Sequence, residues 1–158
     1  MLELQSVPAD VVGCFAQPAA LDQLAGSDGL SVRVAPNELL LLSERSRLRD
    51  LEIELGALDS TSLVLDLSSS FTIWSLRGDD RYEAFCRLSE LELDEAPAVV
   101  QGLVARSPAK VLVQEDELLV MVSSALGHHL RERVLAACAD LAPVEPVAER
   151  AEEEAALA

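Results

Sequence analysis

The stretch SLVLDLSSSFTIWSLRGDDRYEAFCRLSEL, residues 62 to 91, decides the fold. Ser62 to Leu67 reads as a buried strand, Ser68 to Ser70 as a polar turn, and Phe71 to Leu76 as a second strand rich in aromatic and β-branched residues. Gly78 breaks that strand, and Asp79 or Asp80 caps the next element. This is a helix ending near Leu91, with Tyr82, Phe85, Cys86 and Leu88 marking one face.

The same unit recurs on both sides. Upstream, Ser31 to Ala35 alternates as a short strand, Pro36-Asn37 marks a turn, and Glu38 to Leu42 is a dense apolar run of strand length. Ser43 offers an N-cap to a helix over Glu44 to Leu58, in which Leu48, Leu51, Leu55 and Leu58 recur every three or four residues and which stops around Gly56. Downstream, Glu92 to Pro108 is looser, interrupted by Pro97, Gly102 and Pro108, with Ala98 to Val104 as a short extra strand. Lys110 to Gln114 and Glu117 to Ser123 flank Glu115-Asp116 as a hairpin. Ser123 or Ser124 then caps a helix carrying Leu126, Leu130, Val134, Cys138 and Leu141 on one face. Read from Glu38, the order strand, helix, strand, strand, helix, strand is the split βαβ arrangement of ferredoxin-like folds. The expected class is α+β, a mostly antiparallel sheet with helices on one face.

This pattern divides the chain into three segments. Residues 1–29 read as an irregular lead-in, punctuated by Pro8, Pro18, Gly26 and Gly29, with a short helical pattern at Ala19, Leu21 and Leu24. Residues 30–141 form a single α+β domain. Residues 142–158 read as a flexible, solvated acidic tail, helical from Val147, with five glutamates against Arg150.

Half of the 158 residues are hydrophobic, which suits one domain of ordinary size. Twenty-eight acidic residues against twelve basic ones give a formal charge of -16, and Lys110 is the sole lysine. That balance argues against nucleic acid or an anionic membrane surface as partner. No stretch approaches the roughly 20 apolar residues that span a bilayer. Met1 to Asp10 lacks the cationic start of a secretory signal, so a cytoplasmic location is expected.

Signatures of catalysis are scarce. Cys14, Cys86 and Cys138 are odd in number, far apart and without CxxC spacing, so they read as small buried hydrophobes rather than as disulfides or zinc ligands. His128 and His129 are adjacent on a helix, about 100° apart, and cannot face one target together. Glu132, four residues after His128, can pair with it on the surface. No G-x-S-x-G, G-x-G-x-x-G or G-x-x-x-x-G-K motif occurs. No catalytic, cofactor-binding or metal-binding residue is therefore assigned. Asp66, inside an apolar strand, is either a functional carboxylate or a cap for the turn at Ser68 to Ser70. Trp74 reads as core or interface. Leu39 to Leu42 and the strand at Met121-Val122 are apolar on both faces, so the second face must be covered by the lead-in or by another chain. The latter cover would make the protein a subunit.

Several of these pieces also carry a resemblance. Asn37 to Leu42 followed by a helix, then Leu63-Val64-Leu65-Asp66-Leu67-Ser68, then Trp74 to Asp80, then Leu88-Ser89-Glu90-Leu91-Glu92-Leu93-Asp94, resemble the gamma subunit of heterotetrameric sarcosine oxidases. Through it they resemble the folate-binding aminomethyltransferase (glycine cleavage T protein) superfamily. The resemblance covers about Leu30 to Leu141, with Leu118 to Leu141 matching the closing hairpin and helix. It departs in lacking, between Glu92 and Pro108, the catalytic aspartate after a glycine-containing hairpin, and 158 residues leave no room for the superfamily's second half. The resemblance implies a non-catalytic accessory subunit of a flavoenzyme that demethylates sarcosine or a related secondary amine. It implies larger flavoprotein partners carrying FAD, FMN, NAD and tetrahydrofolate, none bound by this chain alone, and association or aggregation when the chain is alone. Asp66 carries over as a structural strand-end residue. Two other readings stay open: a small stand-alone folate-binding one-carbon protein, and an acidic protein-interaction module.

Overall fold

Successive leucines of Glu38–Ser43 point to opposite sides of a strand, and both sides are buried. Leu39 and Leu41 pack under helices, while Leu40 and Leu42 pack against a second sheet. The computed structural model in which this is seen describes residues 1–24, 30–44 and 46–146. Its elements in chain order are β1 (Glu3–Ser6), β2 (Asp10–Phe15), α1 (Pro18–Leu24), β3 (Leu30–Ala35), β4 (Glu38–Ser43), α2 (Leu48–Leu58) and β5 (Leu63–Asp66). They continue as β6 (Phe71–Arg77), α3 (Arg81–Leu88), β7 (Ala98–Val104), β8 (Ser107–Val113), β9 (Glu117–Ser123) and α4 (Gly127–Ala137).

The fold is α+β and every strand pair is antiparallel, but there are two sheets rather than one. Strands β3-β4-β2-β5 form one, and β1-β6-β9-β8-β7 the other. Four layers result. Leu21 and Leu24 of α1 with Leu51 and Leu55 of α2 cover the outer face of the four-stranded sheet. Phe85 of α3 with Leu130 and Val134 of α4 cover the outer face of the five-stranded one. Between the sheets, Val11, Val32, Leu40 and Leu42 meet Ile73, Leu112, Leu119 and Met121. Each sheet thus carries helices on one face only, and its other face packs on its partner sheet except at the edges, where Leu63 and Leu65 of β5 and Val99 and Leu103 of β7 stay exposed.

The second face of β4 and β9 was expected to be covered by the lead-in or by another chain, and it is covered by the other sheet. The two-sided apolar strands β4 and β9 are shielded by the chain itself, at about 1.5–3 kcal/mol per fully buried leucine.

The irregular lead-in is also corrected. Residues 3–6 and 10–15 are strands, and β2 lies between β4 and β5 in its sheet. Val11 and Val12-Cys14 point to opposite buried layers, the pattern of a central strand. Pro8 and Pro18 bracket this run and mask it in the sequence. With β2 in place, β2-α1-β3-β4-α2-β5 is a complete ferredoxin-like βαββαβ unit. The frame begins at Asp10 rather than Glu38, and β6 opens the other sheet.

Smaller differences have local causes. Ser43 ends β4 and is not the N-cap of α2; α2 begins at Leu48 with Arg47 at its N-cap and runs through Gly56 to Leu58. Asp80 holds the N-cap position of α3 without a capping hydrogen bond, its carboxylate accepting the Met1 ammonium at 2.6 Å instead. Pro108 is tolerated inside β8 because the ladder to β9 begins only at Ala109. The start of the tail is tied down: Val144 N–H donates to Leu2 O and Leu4 N–H to Val144 O, both at 2.9 Å, and Arg131 holds Glu145. The helical pattern read from Val147, and the turn residues Gly26 and Gly29, lie outside the described residues.

Candidate functional site

The two sheets part at one end and leave a cleft of about 1320 Å³. Its floor is apolar, from Leu30 and Leu42 of one sheet and Ile73 and Leu119 of the other. The register of β6 and β9 builds one wall by setting Arg77 opposite Glu117 and Ser75 opposite Leu119. Glu117 Oε2 accepts two hydrogen bonds, from the Ser75 hydroxyl at 2.6 Å and from Arg77 Nε at 2.9 Å. Burial alone would raise the Glu117 pKa, but those two hydrogen bonds and the Arg77 charge outweigh it and hold it below the ordinary glutamate value.

The chemistry open to this cleft is limited. Glu117 is held ionised, so it is no general acid at neutral pH. Among the described lining residues there is no histidine or cysteine to pair as base or nucleophile. Asp10, Glu44, Asp50 and Glu117 outnumber Arg47 and Arg77, with Arg77 already paired to Glu117. The pyrophosphate of a flavin or nicotinamide dinucleotide, or the glutamate tail of a folate, would meet a wall that is net negative among the described residues. These residues do not fit such a group.

The residues singled out in the sequence are scattered. Asp66 Oδ1 accepts the Ser68 N–H at 3.0 Å, and that bond with the Ser68 side chain lowers its pKa. It caps the turn. Trp74 Nε1 donates to Gly127 O at 3.0 Å and so seats α4 on β6. His128 lies within 3.0 Å of Glu132 on the surface, and His129 is exposed beside it. Cys14 and Cys138 are buried as expected, with burial pushing the Cys14 thiol up to about 11, but Cys86 is exposed, which corrects its reading as a core residue. Among the described residues no three His, Cys, Asp or Glu side chains cluster as a metal site. None of Asp66, Trp74, His128, His129 and the three cysteines lines the cleft, whereas Leu42 of the doubly apolar run does. The Ser75–Arg77–Glu117 group escaped the sequence reading because 40 residues separate Arg77 from Glu117 and only the strand pairing joins them.

A second surface lies at the open edge of β5. Leu63 and Leu65 are 52% and 40% exposed, while Val64 between them is buried under the helices. Alternation puts Leu63 and Leu65 on the sheet-facing side, in register with Phe15 and Gly13 of β2. The signal was present in the sequence: Asp50 to Leu76 carries five acidic residues and no Lys, Arg or His.

No protein-family model and no curated protein sequence matches the chain. Among solved structures, the fold is similar to heterotetrameric sarcosine oxidase from Corynebacterium sp. U-96 in complex with pyrrole 2-carboxylate. The TM-score is 0.75 at 19% identity, over 91% of this chain and 87% of that one. It is also similar to glycine cleavage system aminomethyltransferase T from Bartonella henselae, with a TM-score of 0.66 at 11% identity. That match covers 91% of this chain but 47% of the transferase chain, so this chain spans about half its length. What is shared at these identities is the fold. Among the described residues no helix is long and apolar enough to cross a membrane.

Proposed function

We propose that the chain is a non-catalytic, gamma-type accessory subunit of a heteromeric sarcosine-oxidase-type flavoenzyme acting on sarcosine or a related secondary amine. The observation that supports this is the shared fold, with a TM-score of 0.75 over 91% of this chain. The chain covers 87% of a chain from a heterotetrameric oxidase, but only 47% of a one-carbon transferase of similar fold. The larger partners would carry FAD, FMN, NAD and tetrahydrofolate. The cleft agrees with that division, since its carboxylates disfavour an anionic cofactor. The same carboxylates count against a stand-alone folate-binding role.

The test is co-expression with large flavoprotein subunits of the sarcosine-oxidase type from the same source. The proposal expects one complex by size exclusion, and loss of amine oxidation or of complex integrity when this chain is omitted. Separate elution, with activity indifferent to this chain, would overturn it.

A further inference from the structure

Sheet edges are ready-made pairing surfaces, and native chains protect them. Three of the four edges here are protected. β1 is bridged by Val144, β3 has an irregularity between Arg33 and Ala35 and carries Arg33 itself, and the Leu103 carbonyl of β7 accepts the Ser89 hydroxyl. β5 has none of these devices. It has a strand neighbour on one side only among the described residues, no proline, no cation and no bulge, and it presents Leu63 and Leu65.

We infer that the open edge of β5, with its apolar side chains, docks an extended, basic segment of a partner polypeptide by strand addition. Main-chain hydrogen bonds would give affinity, and Leu63 and Leu65 would receive alternate apolar side chains. Charge selects the occupant. Asp59 and Asp66 bracket β5, and no Lys, Arg or His occurs from Asp50 to Leu76. A second copy would set these carboxylates against their equivalents on a chain of charge -16, whereas lysines or arginines flanking a partner strand would be attracted. The inference rests on the accessory-subunit reading only for the partner's identity, not for the kind of segment.

The probe is an eight-residue peptide alternating lysine and valine, with its glutamate–valine counterpart as control, added to the full chain. Hydrogen exchange at Leu63 to Asp66 should slow at least tenfold with the lysine peptide and hardly change with the glutamate one. The double variant L63K/L65K, with an unfolding midpoint like the parent's, should abolish the effect. Equal protection by both peptides, protection at β3 or β7 instead, or concentration-dependent protection with no peptide would overturn the inference. The co-expressed complex gives a second arm: L63K/L65K should lose the large subunits while V99K, on β7, keeps them. A complex retained by L63K/L65K overturns the edge proposal alone. A parent chain that binds the lysine peptide but forms no complex overturns the accessory-subunit reading alone.

Discussion

The Ser75 hydroxyl donates to Glu117 Oε2 at 2.6 Å from a position only 1% exposed, so the carboxylate is the partner of a buried hydroxyl. Its folded pKa is lowered against the opposing effect of burial. A depressed carboxylate adds stability above its unfolded pKa and loses it as pH falls through the folded value. Glu117→Gln should therefore cost about 1–2 kcal/mol at pH 7, and the difference from the parent should shrink once pH drops below about 4. Urea midpoints at pH 7 and 3.5 measure this. Asp59, Asp66, Asp140 and Glu145, also held below their ordinary values, add to the parent's acid sensitivity and cancel in the comparison.

Substitutions between the sheets should hurt the isolated chain. Leu40→Ala removes a buried side chain from the layer shared with Leu119 and Met121 and should cost about 2–5 kcal/mol. Leu65→Ala, at the exposed edge, should stay within about 1 kcal/mol. Equal, small effects in denaturant unfolding would show that the two sheets do not cover each other in solution.

Thiol reactivity should divide the cysteines. Cys86 is exposed, whereas burial raises the pKa of Cys14 to about 11 and that of Cys138 above its ordinary value. Iodoacetamide at pH 8 should label Cys86 first, and the other two only after denaturation. Mass mapping of the labelled peptides reads the outcome.

At Gly78 the backbone has φ of +93°, and an added Cβ would lie 2.1 Å from the Met1 carbonyl oxygen. Gly78→Ala should destabilise by about 1–3 kcal/mol and loosen β1 from β6. Faster hydrogen exchange at Leu4 and Leu76, with exchange in β4 unchanged, would report that local effect.

Periodicity made most of the body legible. The hairpin around Glu115-Asp116 and the strands Ala98–Val104, Phe71–Arg77 and Leu30–Ala35 all stand where alternation, turn residues or β-branched runs put them. The two-sided apolarity of Leu39 to Leu42 was legible too, but not its cause. A strand buried on both faces looks the same whether a second sheet or a second chain covers it. The missing piece was β2, whose residues carry no alternation because both its faces are also buried. Once Val11, Val12 and Cys14 occupy the centre of a sheet, the second layer exists and no outside cover is needed. The cleft was not legible, since its carboxylates and arginines come from the start of β2, the β4–α2 connection, the start of α2 and two strands paired across 40 residues. The β5 edge was half legible: a stretch without a single cation is plain in the sequence, but only the strand order shows that it borders an open edge.

Sedimentation velocity of the purified chain, alone and then mixed with large flavoprotein subunits of the sarcosine-oxidase type from the same source, tests the accessory-subunit role most directly. The self-covered sandwich predicts a single slow monomer boundary for the chain alone, and its complete transfer to a faster boundary on mixing. A slow boundary that persists unchanged in the mixture would contradict the account.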